Sequence, residues 1–219
     1  MGKSRNSQIL SYYNSDYSSI MSEGIIGKVA NYIHFAIANQ SKSISQNEKT
    51  RILEIGAFEQ QHIKFEKQGK RIYVQSDVLF PNSEKVIQPY VNCDGHQLPF
   101  KDNVFDKIIM TCVAPHVTDI EIFLKEVLRV VKNGGKILLY LPHEYSLLLR
   151  FAQKISTRRL QKKKGLNGYL LHYREHINSY HRIFYELKEI SPSIKIIRYP
   201  VRFAPWEFNL FSIAIITKN

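Results

Sequence analysis

Cysteine is scarce in this sequence: Cys93 and Cys112 are the only two in 219 residues. Two thiols cannot build a disulfide framework, so stability must come from a buried core, and the expected compartment is a reducing cytoplasm. Acid is short as well, with 19 Asp and Glu against 31 Lys and Arg and a net charge of +12. Glycine (10) and proline (8) are too few for a low-complexity or collagenous chain. Apolar runs are all short of the roughly 18–20 residues that a bilayer span requires. Met1–Asn6 lacks the apolar core of a secretion signal, and Asn6 stands where a myristoylation motif wants Ser or Thr. What the chain does have is 44% hydrophobic and 12% aromatic residues, enough to exclude disorder as the main state. Its length suits one globular domain.

The basic excess is concentrated. Residues 143–188 hold ten Lys or Arg and three acids (Glu144, Glu175, Glu186), which accounts for seven of the twelve net charges. His143, His172, His176 and His181 lie in the same stretch. Such a field suits an anionic neighbourhood: an acidic small molecule, a phosphorylated glycan carrier, nucleic acid or an anionic membrane face.

Hydrophobic periodicity gives the element order. Residues 15–40 read as an N-terminal helix, with Ile20, Ile25, Ile26, Val29, Ile33 and Ile37 at helical spacing, and the polar run 39–50 as a connector. Strands follow at 51–55, 71–77, 86–93, 105–113 and 136–141, with helices expected over 60–67 and 118–131. Asn133-Gly134-Gly135 reads as the stop of the second of these helices. Alternating strands and helices predict a Rossmann-like, doubly wound α/β fold with a mostly parallel sheet. A basic helical insert after strand five (143–190), in two or three pieces, is followed by strands at 193–201 and 208–217. These last two form a hairpin that gives the sheet an antiparallel edge. The chain divides into 1–50, a ligand-binding core at 51–142, the insert at 143–190 and the terminal pair at 191–219.

Ligands of an open parallel sheet bind at the carboxyl ends of its strands. Those ends carry Glu54-Ile55-Gly56-Ala57-Phe58, then Asp77, Cys93-Asp94-Gly95-His96, and Thr111-Cys112 with His116 beyond it. Asp77 lies 21 positions after Gly56, the interval at which a nucleotide-binding unit presents a carboxylate to ribose hydroxyls. Three segments, RILEIGAFEQQH (51–62), DGHQLPFKDNVFDKIIM (94–110) and FLKEVLRVVKNGG (123–135), closely resemble the class I S-adenosylmethionine-dependent methyltransferases, the type 11-like small-molecule and glycan group among them. The resemblance implies a seven-stranded sheet with an antiparallel final strand and S-adenosyl-L-methionine as cofactor. It puts Glu54, Gly56, Ala57 and Phe58 beside the methionine part, Asp77 on the ribose, Asp94, Gly95 and His96 along the adenine, and Thr111 at the rim. One departure stands out. The family's G-x-G-x-G loop reads Gly56-Ala57-Phe58-Glu59-Gln60 here, so Phe58 and Gln60 are expected to remove backbone freedom at two of three places.

Methyl transfer is an in-line displacement, so positioning supplies much of the catalysis, and a hydroxyl acceptor gains from a base titrating near neutrality. His143, directly after strand five, is the first candidate for that base, His176 the second and His116 the third. His172 and His176 are four apart and share a helix face, but no further Cys or acid stands at a matching spacing, so the sequence indicates no metal site. The expected reaction is O-methylation of a small molecule or glycan, anionic or lipid-linked, such as a surface-polysaccharide sugar. Leu147–Leu160, where apolar and basic residues alternate, adds peripheral contact with the inner face of the membrane through 145–165. The alternatives are an RNA methyltransferase, which the charge permits but no added RNA-binding domain supports, a quinone-precursor methyltransferase, or a degenerate, non-catalytic binding protein.

Overall fold

A computed structural model describes residues 24–42, 50–66, 72–80, 86, 89–163, 165–191 and 193–219. Ile20 and the start of the expected N-terminal helix lie outside the described residues. Seven strands form one sheet: β1 (Arg51–Ile55), β2 (Ile72–Asp77), β3 (Tyr90–Asn92), β4 (Phe105–Met110), β5 (Val131–Pro142), β6 (Ile194–Tyr199) and β7 (Phe211–Thr217). Their order is β3-β2-β1-β4-β5-β7-β6. The first five run parallel; β7 pairs antiparallel with both β5 and β6, which is the expected terminal hairpin.

Side chains alternate across the sheet. Leu53, Ile108, Met110, Ile137 and Leu139 face helices α2 (Ile120–Val130) and α6 (Tyr180–Ile190), packing on Phe123, Val127, Ile183 and Leu187. Ile52, Ile109, Leu138 and Ile213 face the opposite side, with Ala36 and Ile37 of α1 (Gly24–Lys42). Between α1 and α2 along the chain, the helix expected at 60–67 shrinks to one 3-10 turn, Ile63–Phe65. Phe58 and Gln60 hold left-handed backbone angles, so no α-helix can begin before residue 61.

Two further elements differ from the sequence reading. Helix α2 ends at Val130, four residues before Gly134, with the Val131 N–H bonded to Val127 O. The Asn133-Gly134-Gly135 turn instead lies within β5, where the register with β4 steps from Phe105↔Val131 to Lys107↔Lys136. Gly134 takes φ +75° there, and a Cβ on Gly135 would stand 2.8 Å from Lys132 O. The insert comprises four helices rather than two or three: α3 (Leu147–Ile155), α4 (Thr157–Lys163), α5 (Gly168–Glu175) and α6. Ser146, Asn167 and Ser179 cap α3, α5 and α6 by accepting the N–H three residues on.

The 94–110 and 123–135 signatures meet at one side chain. Arg129 on α2 donates to Phe100 O (2.8 Å), Leu98 O (2.9 Å) and Asp102 Oδ1 (2.7 Å), while Glu126 holds its guanidinium and accepts from Leu98 N–H. The LPF-x-D loop is thereby tied to the helix that follows β4. At the other end of the insert, buried Asn178 donates through Nδ2 to Ala114 O and Val117 O, and its N–H donates to Pro115 O. That asparagine fastens the insert to the turn beyond β4.

Candidate active site

The body of the sheet is sealed, and accessibility returns at the carboxyl ends of β1 to β4. Gly56, Phe58, Asp77, Cys93, Gly95, His96, Thr111 and Cys112 are all half-buried there, and Asp94 is exposed. The loop after β1 keeps a glycine-like trace without the glycines. Gly56, Phe58 and Gln60 have φ of +80°, +21° and +56°. Side chains at such angles cost about 1–2 kcal/mol each, so the surroundings must hold the loop. The Phe58 N–H donates to Asp77 Oδ2 (3.1 Å), the Gln60 N–H to Ala57 O (2.6 Å), and the Gly56 and Ala57 N–H groups both to Ser76 O. Ala57 is buried. Asp77 accepts a second amide, from Leu79, at Oδ1 (2.9 Å). Burial pushes its carboxyl up against these bonds. A Cβ on Gly56 would lie 2.8 Å from Val113 Cβ.

His96 takes a different part from the expected one. Its Nε2 accepts the Asp119 N–H (3.2 Å) and its Nδ1 donates to Asp94 Oδ1 (2.6 Å), so both nitrogens are spent strapping the β3 loop to the start of α2. Asp94 also accepts the His96 amide, which with the imidazole holds its carboxyl below the usual range. Glu54 is not on the rim at all. It is buried on the α1 side, accepting from Tyr73 Oη (2.9 Å) and Gln75 Nε2 (3.0 Å), and burial pushes its carboxyl up. The side-chain alternation that sends Ile52 to the α1 face sends Glu54 there too.

Beyond β4 and β5 the chain gathers a second group. His116 and His176 stand edge to face with ring centroids 4.5 Å apart, and His172 lies 4.3 Å from His176. The carboxylate of Glu144, which follows β5 and is buried, pairs with His176 Nδ1. Glu175 Oε2 is 4.0 Å from His116 Nδ1. Cys112, at φ +62°, completes the group. Burial lowers His116 to about 3 and His172 and His176 to about 4, so all three rings are neutral near pH 7. Burial raises Glu144 to about 7.

His143, the first candidate for a base, is kept from that group. Its Nδ1 lies 2.9 Å from Trp206 O and its Nε2 2.7 Å from Ser212 Oγ, and Tyr180 packs on its ring at 4.6 Å. With no exposed surface and both nitrogens engaged, it joins β5, β7 and α6 and has no nitrogen free for a substrate.

Comparison with known proteins matches this arrangement: residues 60–139 fit the Methyltransferase domain family. That segment, 80 of the 219 residues, is similar to a methyltransferase domain. The ubiquinone/menaquinone biosynthesis C-methyltransferase of Idiomarina loihiensis is 44% identical over 68 residues, 31% of this chain and 24% of that protein. The demethylmenaquinone methyltransferase of Streptomyces griseus is 37% identical over 51 residues, 23% of this chain and 22% of its own length. The chain therefore matches only about a quarter of these curated relatives. An S-adenosylmethionine-dependent methyltransferase structure from Thermotoga maritima superposes with a TM-score of 0.64 at 18% identity, covering 97% of this chain and 99% of that one. A Methanococcus maripaludis structure gives 0.63 at 17%, covering 100% and 97%. At these identities the structures establish the fold.

S-adenosyl-L-methionine is the methyl donor of this family. The rim at the strand ends fits it: the three left-handed residues at 56, 58 and 60 give the backbone the close approach that glycines usually supply, and Asp77 and Asp94 bring carboxylates to the ends of β2 and β3. Each Asp77 oxygen accepts one amide and keeps a lone pair for a hydroxyl. Sequence reasoning missed Glu144 and Cys112 as partners of the histidines. Only the packing of α5 against the β4 and β5 ends brings them together.

Proposed function

We propose that this chain is an S-adenosylmethionine-dependent O-methyltransferase acting on a small molecule or glycan, anionic or lipid-linked. The observation that carries the transferase reading is the retained left-handed trace at residues 56, 58 and 60, anchored by Asp77. A degenerate domain would have no reason to hold two side chains in a costly conformation. When bound, the cofactor supplies a methyl group on an electrophilic sulfonium. Gly56 and Phe58 line its approach, Asp77 and Asp94 offer acceptors to its hydroxyls and amine, and Gly95 brings backbone close.

His116 takes the role of proton acceptor in this reading. Its side chain is 29% exposed against 17% for His176, its ring is neutral, and Glu175 stands behind Nδ1. Positioning of the acceptor is supported by the insert. Leu147, Phe151 and Ile155 repeat every four residues on α3 and are 64%, 64% and 58% exposed, an apolar stripe flanked by Arg150, Lys154 and Arg159. Such a surface suits a lipid-linked, negatively charged acceptor at a membrane face. No helix among the described residues is long and apolar enough to cross a membrane. The same stripe, with relatives named for quinone biosynthesis, favours a quinone precursor as the second reading.

Calorimetric titration with S-adenosylmethionine and S-adenosylhomocysteine tests the cofactor site. Micromolar binding is expected, lost in Asp77→Ala and in Gly56→Arg. A folded wild-type protein that binds neither would return the chain to the non-catalytic reading. Transfer of labelled methyl to lipid-linked anionic sugars, set against quinone precursors, separates the two acceptor classes. His116→Asn should lower turnover while leaving cofactor affinity unchanged.

A further inference from the structure

The donors gathered beyond β4 and β5 are the kinds that bind borderline divalent cations. We propose that Glu144, His172 and His176 form a site for a zinc-like divalent metal ion at the acceptor end of the sheet. Their donor atoms all lie within 4.8 Å of one another, and a second triad, Cys112, His116 and His176, shares the same central imidazole within the same limit.

Several independent features agree. His172 and His176 are four apart at the end of α5, the interval that places two imidazoles on one helix face toward a single ion. Their rings are 4.3 Å apart by centroid and tilted 34°, an arrangement that crowds two lone pairs together. Glu144 arrives from another element, directly after β5, and is held there from both sides: His143 is locked between β5, β7 and α6, and Ser146 N–H donates to His143 O. Two imidazoles and one carboxylate are the ligand set of an open zinc site, with a fourth position left for water or substrate.

The electrostatics point the same way. The Glu144 side chain is 2% exposed and faces imidazoles, a residue type that ligates in its neutral form. The cationic side chain acting on His172 and His176 is Arg158, and its guanidinium is turned to Gly168 O, Gln161 Oε1 and Gln153 Oε1. A second carboxylate, Glu175, lies behind His116. A divalent cation offsets the two acids and converts a crowded set of lone pairs into ligands. Ligand atoms of a tetrahedral zinc stand about 3.3 Å apart at bond lengths of about 2.0–2.1 Å, so the triad needs to close by about 1.5 Å at most, within reach of side-chain rotation. His116 then stands beside the ion, its ring edge to face with His176. Such an ion would hold an acceptor oxygen and ease its deprotonation, with His116 beside it as the proton acceptor. That role rests on the transferase reading; binding of the ion does not.

The test is a titration of chelator-stripped full-length protein with Zn2+ against a chromophoric indicator, with Co2+ loading followed by visible absorption. One equivalent of Zn2+ per chain is expected, with Co2+ giving the intense d–d bands of a four-coordinate site. Glu144→Gln and His172→Asn should each weaken Zn2+ binding by about 100-fold or more and abolish the Co2+ bands, with circular dichroism unchanged. His181→Asn, outside the cluster, should bind as wild type. A folded wild-type protein that takes up no Zn2+ would overturn the site. So would uptake indifferent to both variants, or lost in Cys112→Ser and His116→Asn while Glu144→Gln and His172→Asn retain it. Cofactor affinity measured on the same stripped protein is separate, so the site can fail while the transferase reading stands.

Discussion

Two buried groups of imidazoles and acids lie in this molecule, and they are built to opposite ends. Under α1, Lys107 is wholly buried and donates to Ser41 Oγ (2.7 Å) and Ser41 O (3.1 Å). Nearby, Glu66 and His62 pair at 3.3 Å, His62 meets His34 nitrogen to nitrogen at 3.3 Å, and Glu54 is capped by Tyr73 and Gln75. Every acid in that group has a donor or a cation facing it, and its members come from α1, the 3-10 turn at 62–66, and β1, β2 and β4. At the acceptor end, the acids face neutral rings instead, and the members come from strand ends and from α5. The first group joins a helix to the sheet in place of the apolar contacts a longer helix after β1 would make. The second is left with ligating capacity. Buried charge paired within the fold is structure; imidazoles and a carboxylate converging from separate elements can ligate.

Acid is the broadest way to break the comparison. His34 and His116 are lowered to about 3, and His143, His172 and His176 to about 4, from 6.5. The unfolded chain takes up protons at these positions near pH 6.5 while the folded one does not, so stability is complete above about 6.5 and falls as pH drops toward 4. Each ring contributes at most about 1.4 kcal/mol per pH unit. Glu144 opposes this in part, since its raised carboxyl binds a proton in the folded state first. Thermal melts from pH 7.5 to 4.5 should show the loss, and Zn2+ should protect against it only if the acceptor group binds the ion.

Single substitutions sharpen the contrast. Lys107→Ala removes the buried ammonium facing Ser41 and should cost about 3–5 kcal/mol in denaturant titration, with Zn2+ uptake intact in the folded fraction. Tyr73→Phe, which strips one donor from Glu54, should cost about 1–3 kcal/mol. His172→Asn should change stability by less than about 1 kcal/mol while eliminating the metal. A large destabilisation by His172→Asn would place both groups in the same structural role.

Much of this was legible along the chain. The central strands are continuous apolar runs buried on both faces, and the order of the rim residues followed from their places after each strand. The Arg129 clasp explains why the 94–110 and 123–135 segments are recognisable together, because each presents half of one hydrogen-bonded unit. Less visible was the face to which an acid turns. Glu54 sits one residue before the end of β1, and alternation sends it inward. Phe58 and Gln60 misled differently: residue type suggested lost backbone freedom, whereas the Asp77 carboxylate and the Ala57 carbonyl impose it. The histidine group was out of reach, because His176 meets Glu144 across 32 residues and no local period encodes that meeting.

Asn178 and Ser146 have a consequence for how this protein diversifies. One is bolted to the turn after β4 and the other to the end of β5, so everything between them is a cassette with both ends fixed to the sheet. Closing a longer or shorter cassette between fixed ends changes the loop entropy only logarithmically. Helices 147–175 can therefore be exchanged for another acceptor-binding segment without re-engineering the cofactor half, and a chimera joined at those two residues is the natural place to transplant specificity.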